Sequence, residues 1–144
     1  MGVLSKWIDK AREVAKEYRS NCEELRRLRE AEGGMSSLPQ GVPVMNGKIS
    51  RPVEAEVERR LLQERRRYLE QATEAVDFAI AQVVEKPQGM LTFQIFQMVY
   101  YYHTHRLYGA ALALNISERT AIRYNTYFLK MIAVHMGFLK SGTF

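Results

Sequence analysis

Apolar residues recur along the first fifth of the chain with the spacing of an amphipathic helix. One seven-residue series is Leu4, Ala11, Tyr18 and Leu25, and a second, offset by three, is Trp7, Val14, Asn21 and Leu28. These are the a and d positions of a heptad repeat, so residues 1–32 predict an N-terminal amphipathic helix. The polar Asn21 has two interpretations: it fixes the register of helix pairing, or it is a tolerated residue near a partner-free end.

The periodicity stops in residues 33–52, which contain four Gly, three Pro and three Ser. This composition predicts a flexible linker between two elements that pack separately. A second long helix is predicted over residues 53–86, with Pro52 suited to its first turn. Leu62, Leu69, Val76 and Val83 recur there every seven residues.

The first half of this second helix reads "EAEVERRLLQERRRYLE", in which acids and arginines nearly cancel. Pairs four residues apart stabilise such a helix, so we interpret the segment as a solvated coiled-coil face rather than a nucleic-acid patch. The two long helices should pair. Either an antiparallel hairpin within one chain or a homodimer through the N-terminal helices fits the pattern.

Residues 87–144 predict three more helices after the breaker "EKPQG". The first, with Thr92 as its N-cap, is apolar almost all round, so its aromatic residues indicate a core rather than a base-stacking platform. The next two are "RLYGAALALN" and "SERTAIRYNTYFLKMIAVHMGF". The predicted fold class is therefore all-α, with long N-terminal coiled-coil-like helices and a C-terminal helix-turn-helix domain.

The stretch "LNISERTAIRY" carries the signals of a tight turn between two helices. Asn115 suits a left-handed C-cap, because Asn tolerates positive φ better than most residues. Ser117 is an N-cap candidate that can accept a hydrogen bond from the backbone N–H of Arg119 or Thr120. Ala111 allows a partner helix to approach closely. Together these features are typical of a helix-turn-helix.

The helix that follows the turn carries the candidate DNA contacts. Arg119 and Arg123 lie four residues apart on one face and can each donate two hydrogen bonds to guanine. Arg106 and Lys130 are better placed for phosphate. The full set of predicted DNA-binding residues is Arg106, Ser117, Glu118, Arg119, Thr120, Ile122, Arg123, Thr126 and Lys130.

Charge and composition narrow the class of protein. The 144-residue chain has a formal charge of +5, and its last 42 residues hold five Lys and Arg against one acid, Glu118. Its single cysteine, Cys22, excludes a disulfide within one chain and fits a reducing cytoplasm. Neither a signal peptide nor a membrane span is evident, so we expect a cytoplasmic protein with no membrane partner.

Other chemistry finds little support in the sequence. No phosphate-binding glycine loop and no pair of carboxylates in an apolar setting occur, so we expect no catalysis and no cofactor. His103 and His105 would point in different directions on a helix, which argues against a metal site. They are better suited to flank a helix end, where they can contact carbonyls or phosphate.

The segment "QIFQMVYYYHTHRLYGAALALNISERTAIRYNTYFLKMIAVHMGF" resembles the helix-turn-helix of sigma-factor region 4. The layout of charged N-terminal helices, an irregular "SLP" stretch and this C-terminal segment is similar to phage and prophage regulators of the ArpU/RinA kind. The resemblance implies a transcriptional regulator in a bacterial host cell that binds double-stranded DNA and activates phage late genes, with RNA polymerase as a further partner.

A second class of function stays open. The same helices could form the oligomeric core of a non-enzymatic phage interaction protein, such as an inhibitory factor or a DNA-packaging protein like a small terminase subunit. Small terminase subunits usually carry the DNA-binding motif first, whereas here it comes last. A sequence preference that survives competitor DNA would favour the regulator.

Overall fold

The computed structural model describes residues 2–37 and 52–140, and every regular element in those ranges is helical. The predicted all-α fold class is therefore confirmed. The α-helices are α1 (Gly2–Lys16), α2 (Tyr18–Ser37), α3 (Pro52–Val84), α4 (Gly89–Phe96), α5 (Leu107–Leu114) and α6 (Glu118–Met136). A π-helical segment, Gln97–Tyr101, follows α4 directly.

The single N-terminal helix predicted over residues 1–32 is divided into α1 and α2 at Glu17. The helical hydrogen bonds nevertheless run past this point, because the Glu17 N–H donates to the Glu13 carbonyl and the Asn21 N–H to the Glu17 carbonyl. The apolar stripe is confirmed. Ala11, Val14 and Leu25 are all buried on it.

Asn21 lies on the same stripe and is only 3% exposed, so its interpretation as a residue near a partner-free end is wrong. Its Nδ2 has no hydrogen-bond partner in the described part of the chain. An unsatisfied buried amide costs on the order of 1–3 kcal/mol, so Asn21 opposes the stability of the packing that surrounds it.

Both ends of the predicted linker, residues 33–52, are helical. Residues 33–37 belong to α2 and Pro52 is the first residue of α3, which agrees with the preference of proline for a first helical turn. The remaining predicted linker residues, 38–51, lie outside the described residues.

Helices α2 and α3 pack as an antiparallel pair within one chain. Near the start of α2, the Tyr18 hydroxyl donates a 2.6 Å hydrogen bond to Asp77, late in α3. Towards the other end of α2, Arg66 of α3 donates to Glu32. Of the two pairings that the sequence allowed, the hairpin within one chain is therefore the one observed.

The junction of α3 and α4 depends on Gly89. A Cβ atom at this position would lie 1.5 Å from the Val83 carbonyl oxygen, so only glycine allows α4 to start against the end of α3. Helix α4 begins here, and the prediction that Thr92 caps its N-terminus is wrong. Thr92 is a buried residue inside the helix, where it packs instead of capping.

One continuous hydrophobic core joins the long helices α1 and α3 to the C-terminal helices α4 and α6. Its buried side chains come from α1, α3, α4, the π-helical segment and α6, with Phe128, Leu129 and Ile132 of α6 at most 1% exposed. Helix α6 packs mainly against α3 and α1. No helix in the described ranges is long and apolar enough to cross a bilayer.

Candidate nucleic-acid interface

Helices α5 and α6 are joined by a three-residue turn whose backbone confirms the predicted left-handed residue. Asn115 has φ 61° and ψ 43°. Its N–H donates to the Leu112 carbonyl, and the Ile116 N–H donates to the Ala111 carbonyl. These two bonds form a Schellman motif, which satisfies carbonyls that the end of α5 would otherwise leave unpaired. The chain therefore leaves α5 in a fixed direction.

Ser117 caps the N-terminus of α6, as the sequence predicts. Its hydroxyl accepts a 3.1 Å hydrogen bond from the backbone N–H of Thr120, one of the two donors expected. The same hydroxyl donates to Oγ1 of Thr120 at 2.9 Å. Both predicted contact residues are thus held by each other in the first turn of α6.

A small second core fixes α5 against the start of α6. Ile95 of α4, Ala111 of α5 and Ala121 of α6 are each at most 1% exposed and form one cluster. The alanines bring the two backbones close together because they carry no atoms beyond Cβ. The predicted role of Ala111 at a helix crossing is confirmed.

A buried polar contact joins the π-helical segment to the inner side of α6. The Tyr100 hydroxyl, in the π-helical segment, donates a 2.8 Å hydrogen bond to Oδ1 of Asn125. Burial raises the pKa of Tyr100, although its hydrogen bonds with Asn125 and Arg12 act in the opposite direction. Asn125 therefore faces the core, and the opposite side of α6 faces outwards.

The outward face of α6 carries most of the predicted contact residues. Glu118, Arg119, Ile122 and Arg123 are exposed, and Thr126 and Lys130 are half-buried. Positions 119, 123, 126 and 130 follow one another at spacings of four, three and four, so they form a single stripe. Ile122 is 47% exposed beside this stripe and gives it an apolar surface.

The arginines of this face differ in their pairing from most arginines of the long helices. Arg119 and Arg123 form no ion pair with any residue that the structure describes, although Arg123 stacks on the Tyr124 ring at 5.7 Å. By contrast, four arginines in the first half of α3 each pair with a glutamate: Arg59, Arg60, Arg65 and Arg66. Most arginines of that half are therefore paired with acids, as expected of a solvated coiled-coil face, whereas Arg67 forms no ion pair among the described residues.

Two residues beside the outward face of α6 were not predicted from the sequence. Lys86, in the turn between α3 and α4, holds its Nζ 5.6 Å from the ring centroid of Tyr127 on α6. Both residues line a groove of about 470 Å³ together with Arg123. A second groove is lined by Arg123, Thr126, Tyr127 and Lys130. We term the outward face of α6 with Lys86 the basic face.

Arg106 lies apart from the basic face. It is exposed and extended, as the N-cap residue of α5, and it shares a separate cavity with His103 and His105. The two histidines are in a loop rather than on a helix, so the helical geometry that separated them in the sequence argument does not apply. No group of three His, Cys, Asp or Glu among the described residues could hold a metal ion.

A scan of protein-family models and searches of curated proteins and solved structures found no match to this chain.

Proposed function

We propose that this protein is a sequence-specific DNA-binding transcriptional regulator that places the N-terminal half of α6 in the major groove. The observation that carries the proposal is the pair of exposed arginines, Arg119 and Arg123, which lack carboxylate partners among the described residues. Cations left unpaired on a rigidly held helix start are available for phosphate and base edges.

The chemistry of the basic face suits base recognition. Each guanidinium can donate two hydrogen bonds to O6 and N7 of guanine, a contact worth about 1–3 kcal/mol of discrimination. Ile122 supplies an exposed apolar surface for a thymine methyl group, and Glu118 can accept from the N4 amino group of cytosine. Ser117 and Thr120 stabilise the start of the helix and present hydroxyls to the nearest phosphates.

Lysines on either side of the arginines suit the DNA backbone. Lys86 comes from the α3–α4 turn and Lys130 from α6, and each lines a groove that Arg123 also lines. A lysine that neutralises one phosphate releases counterions, so its loss should lower the salt slope of binding by about one unit. Such contacts position α6 without selecting a sequence.

The resemblance to phage and prophage regulators of the ArpU/RinA kind makes activation of late genes the cellular role we propose. In this role the protein would bind a promoter and contact RNA polymerase of the bacterial host. The core shared by α1, α3 and α6 lies behind the basic face, and many residues of α2 and of the first half of α3 are exposed and available to a partner.

Footprinting across the genome region that encodes the protein tests this function. We expect protection of a discrete site, retained in excess non-specific competitor DNA and followed by transcription in a reconstituted assay with host polymerase. Uniform weak binding that competitor abolishes at physiological salt would contradict a sequence-specific regulator. A matched fragment with the protected site scrambled is the control.

The alternative, an oligomeric phage interaction or packaging protein, is favoured by one observation. The start of α3 exposes four aliphatic residues, Val53 (74%), Val57 (48%), Leu61 (59%) and Leu62 (54%). A second copy could cover this stripe and give a homodimer through the long helices. The mass of the protein in solution distinguishes this function from the regulator. A stable oligomer that the double variant Val57→Ser, Leu61→Ser no longer forms, together with non-specific DNA binding, would favour the oligomeric protein.

A further inference from the structure

A cavity of about 400 Å³ lies where α1, the π-helical segment and the start of α5 meet. Its charged lining is entirely basic. Arg12 and Lys16 come from α1, His103 and His105 from the loop, and Arg106 from the N-cap of α5. No carboxylate in the described part of the chain lines it. We term this feature the α1–α5 pocket.

The loop that carries the histidines is firmly built. The N–H groups of Thr104 and His105 both donate to the Met98 carbonyl, at 2.9 and 3.2 Å. The Thr104 hydroxyl lies 2.8 Å from Nδ1 of His105, and the His105 ring stands 3.6 Å from the space that a Cβ at Gly109 would fill. The His105 imidazole is therefore held over the first turn of α5. The contact with Thr104 uses Nδ1 and leaves Nε2 unengaged.

The remaining donors point to an anion with several oxygens. No side chain caps α5, so the N–H groups of its first turn keep their donor capacity and their partial positive charge. Arg12 is held on its own helix by an ion pair with Asp9 at 3.1 Å, and it lines the pocket together with Tyr100. Lys16 and Arg106 have no ion pair among the described residues.

From this arrangement we infer that the α1–α5 pocket binds a phosphate group. Three permanent cations, two imidazoles and an uncapped helix start match the charge and the three or four acceptor oxygens of phosphate better than a single carboxylate. The phosphate can belong to the DNA backbone, which rests on the proposed function, or to a free phosphate compound, which does not. In both cases α1, predicted only as a pairing helix, supplies part of a binding site.

Two titrations of the full-length protein separate these sources. In the first, duplex DNA carrying the footprinted site is titrated at several salt concentrations. In the second, pyrophosphate is titrated while NMR follows the backbone amides of Leu107, Tyr108 and Gly109. The variants are Lys16→Ala and Arg106→Ala. Lys10→Ala is the matched control, since Lys10 lies on α1 but stacks over Phe138, beyond the far end of α6.

If the phosphate belongs to DNA, Lys16→Ala and Arg106→Ala each lower the salt slope by about one unit and Lys10→Ala does not. If it is free, pyrophosphate shifts the three amides at millimolar concentration, and the two pocket variants weaken the shift at least fivefold. The second result supports the pocket even if the protein binds no DNA. Equal effects of Lys10→Ala and Lys16→Ala, or no effect in either titration, would overturn the inference.

Discussion

The Tyr100 hydroxyl donates a 2.8 Å hydrogen bond to Oδ1 of Asn125, and both residues are at most 7% exposed. This bond links the π-helical segment to the inner side of α6, opposite the arginines that we propose to contact DNA. Together with the buried Phe128, Leu129 and Ile132, it sets which side of α6 faces outwards.

Tyr100→Phe should therefore destabilise the fold by about 1–3 kcal/mol, because the buried Asn125 amide oxygen loses its donor. Equilibrium urea denaturation measures this. Tyr102→Phe is the control, since Tyr102 is 54% exposed and should change stability by less than about 0.5 kcal/mol. Equal stabilities of the two variants would show that the buried bond does not hold α6.

The turn before α6 makes its own contribution to stability. Ser117→Ala should cost about 1 kcal/mol through the loss of the cap on Thr120, whereas Ser117→Asp, which retains a capping oxygen, should cost less. Phe128→Ala should cost about 3–5 kcal/mol because Phe128 is 1% exposed. Tyr124 is half-buried, so its replacement by Ala should cost less than that of Phe128. Thermal melts that rank Tyr124 above Phe128 would contradict this packing.

Alkaline pH should weaken the pairing of α2 with α3. Burial, followed by the hydrogen bond to Asp77, raises the pKa of Tyr18 in the folded state. A folded pKa above the unfolded value of about 10 means that the stabilisation is complete below pH 10 and is lost as the pH rises further. Tyr18→Phe should flatten this loss. The free energy of unfolding of both proteins is measured from about pH 8 to 11. The difference between the unaltered protein and Tyr18→Phe should be smaller at high pH than at pH 8. A difference that stays constant with pH would exclude the linkage.

The N-terminal helices should be needed for the whole fold. Removal of residues 1–32 strips Ala11, Val14 and Ala15 from the core and uncovers Leu69 and Val76 of α3. Aggregation or an altered mass in solution is expected, as light scattering would detect. Leu62→Ala is a control, because Leu62 is already 54% exposed. A truncated protein that stays monodisperse and equally stable would refute the role of α1 and α2 in the core.

Local signals predicted much of this architecture correctly. Asn115 and Ser117 act through their own side chains and backbone angles within a few residues, so the ends of α5 and α6 follow from sequence. The stripes on α1 and α3 are equally local, because heptad spacing fixes which side chains share a face. The prediction that Thr92 is an N-cap was wrong because a buried threonine and a capping threonine cannot be distinguished by sequence alone. Gly89, three residues earlier, decides where α4 starts.

Long-range contacts could not be predicted in this way. Lys86 lies in the segment "EKPQG", from which the sequence predicted only the end of a helix. Its position beside Tyr127 arises from the packing of α3 on α6. The α1–α5 pocket combines residues about ninety positions apart in sequence. The N-terminal helix is divided at Glu17, where the sequence has neither proline nor glycine.

Titration of the footprinted duplex at fixed salt tests the central claim most directly, with Arg119→Ala, Arg123→Ala and their combination compared with the unaltered protein. The control is Arg59→Ala with Arg60→Ala, which removes the same charge from α3. Each arginine that reads a base should cost about 1–3 kcal/mol on the cognate site, with relaxed preference at one base pair, and the control should bind almost normally. Unchanged affinity in the Arg119→Ala, Arg123→Ala double variant would contradict DNA recognition by α6.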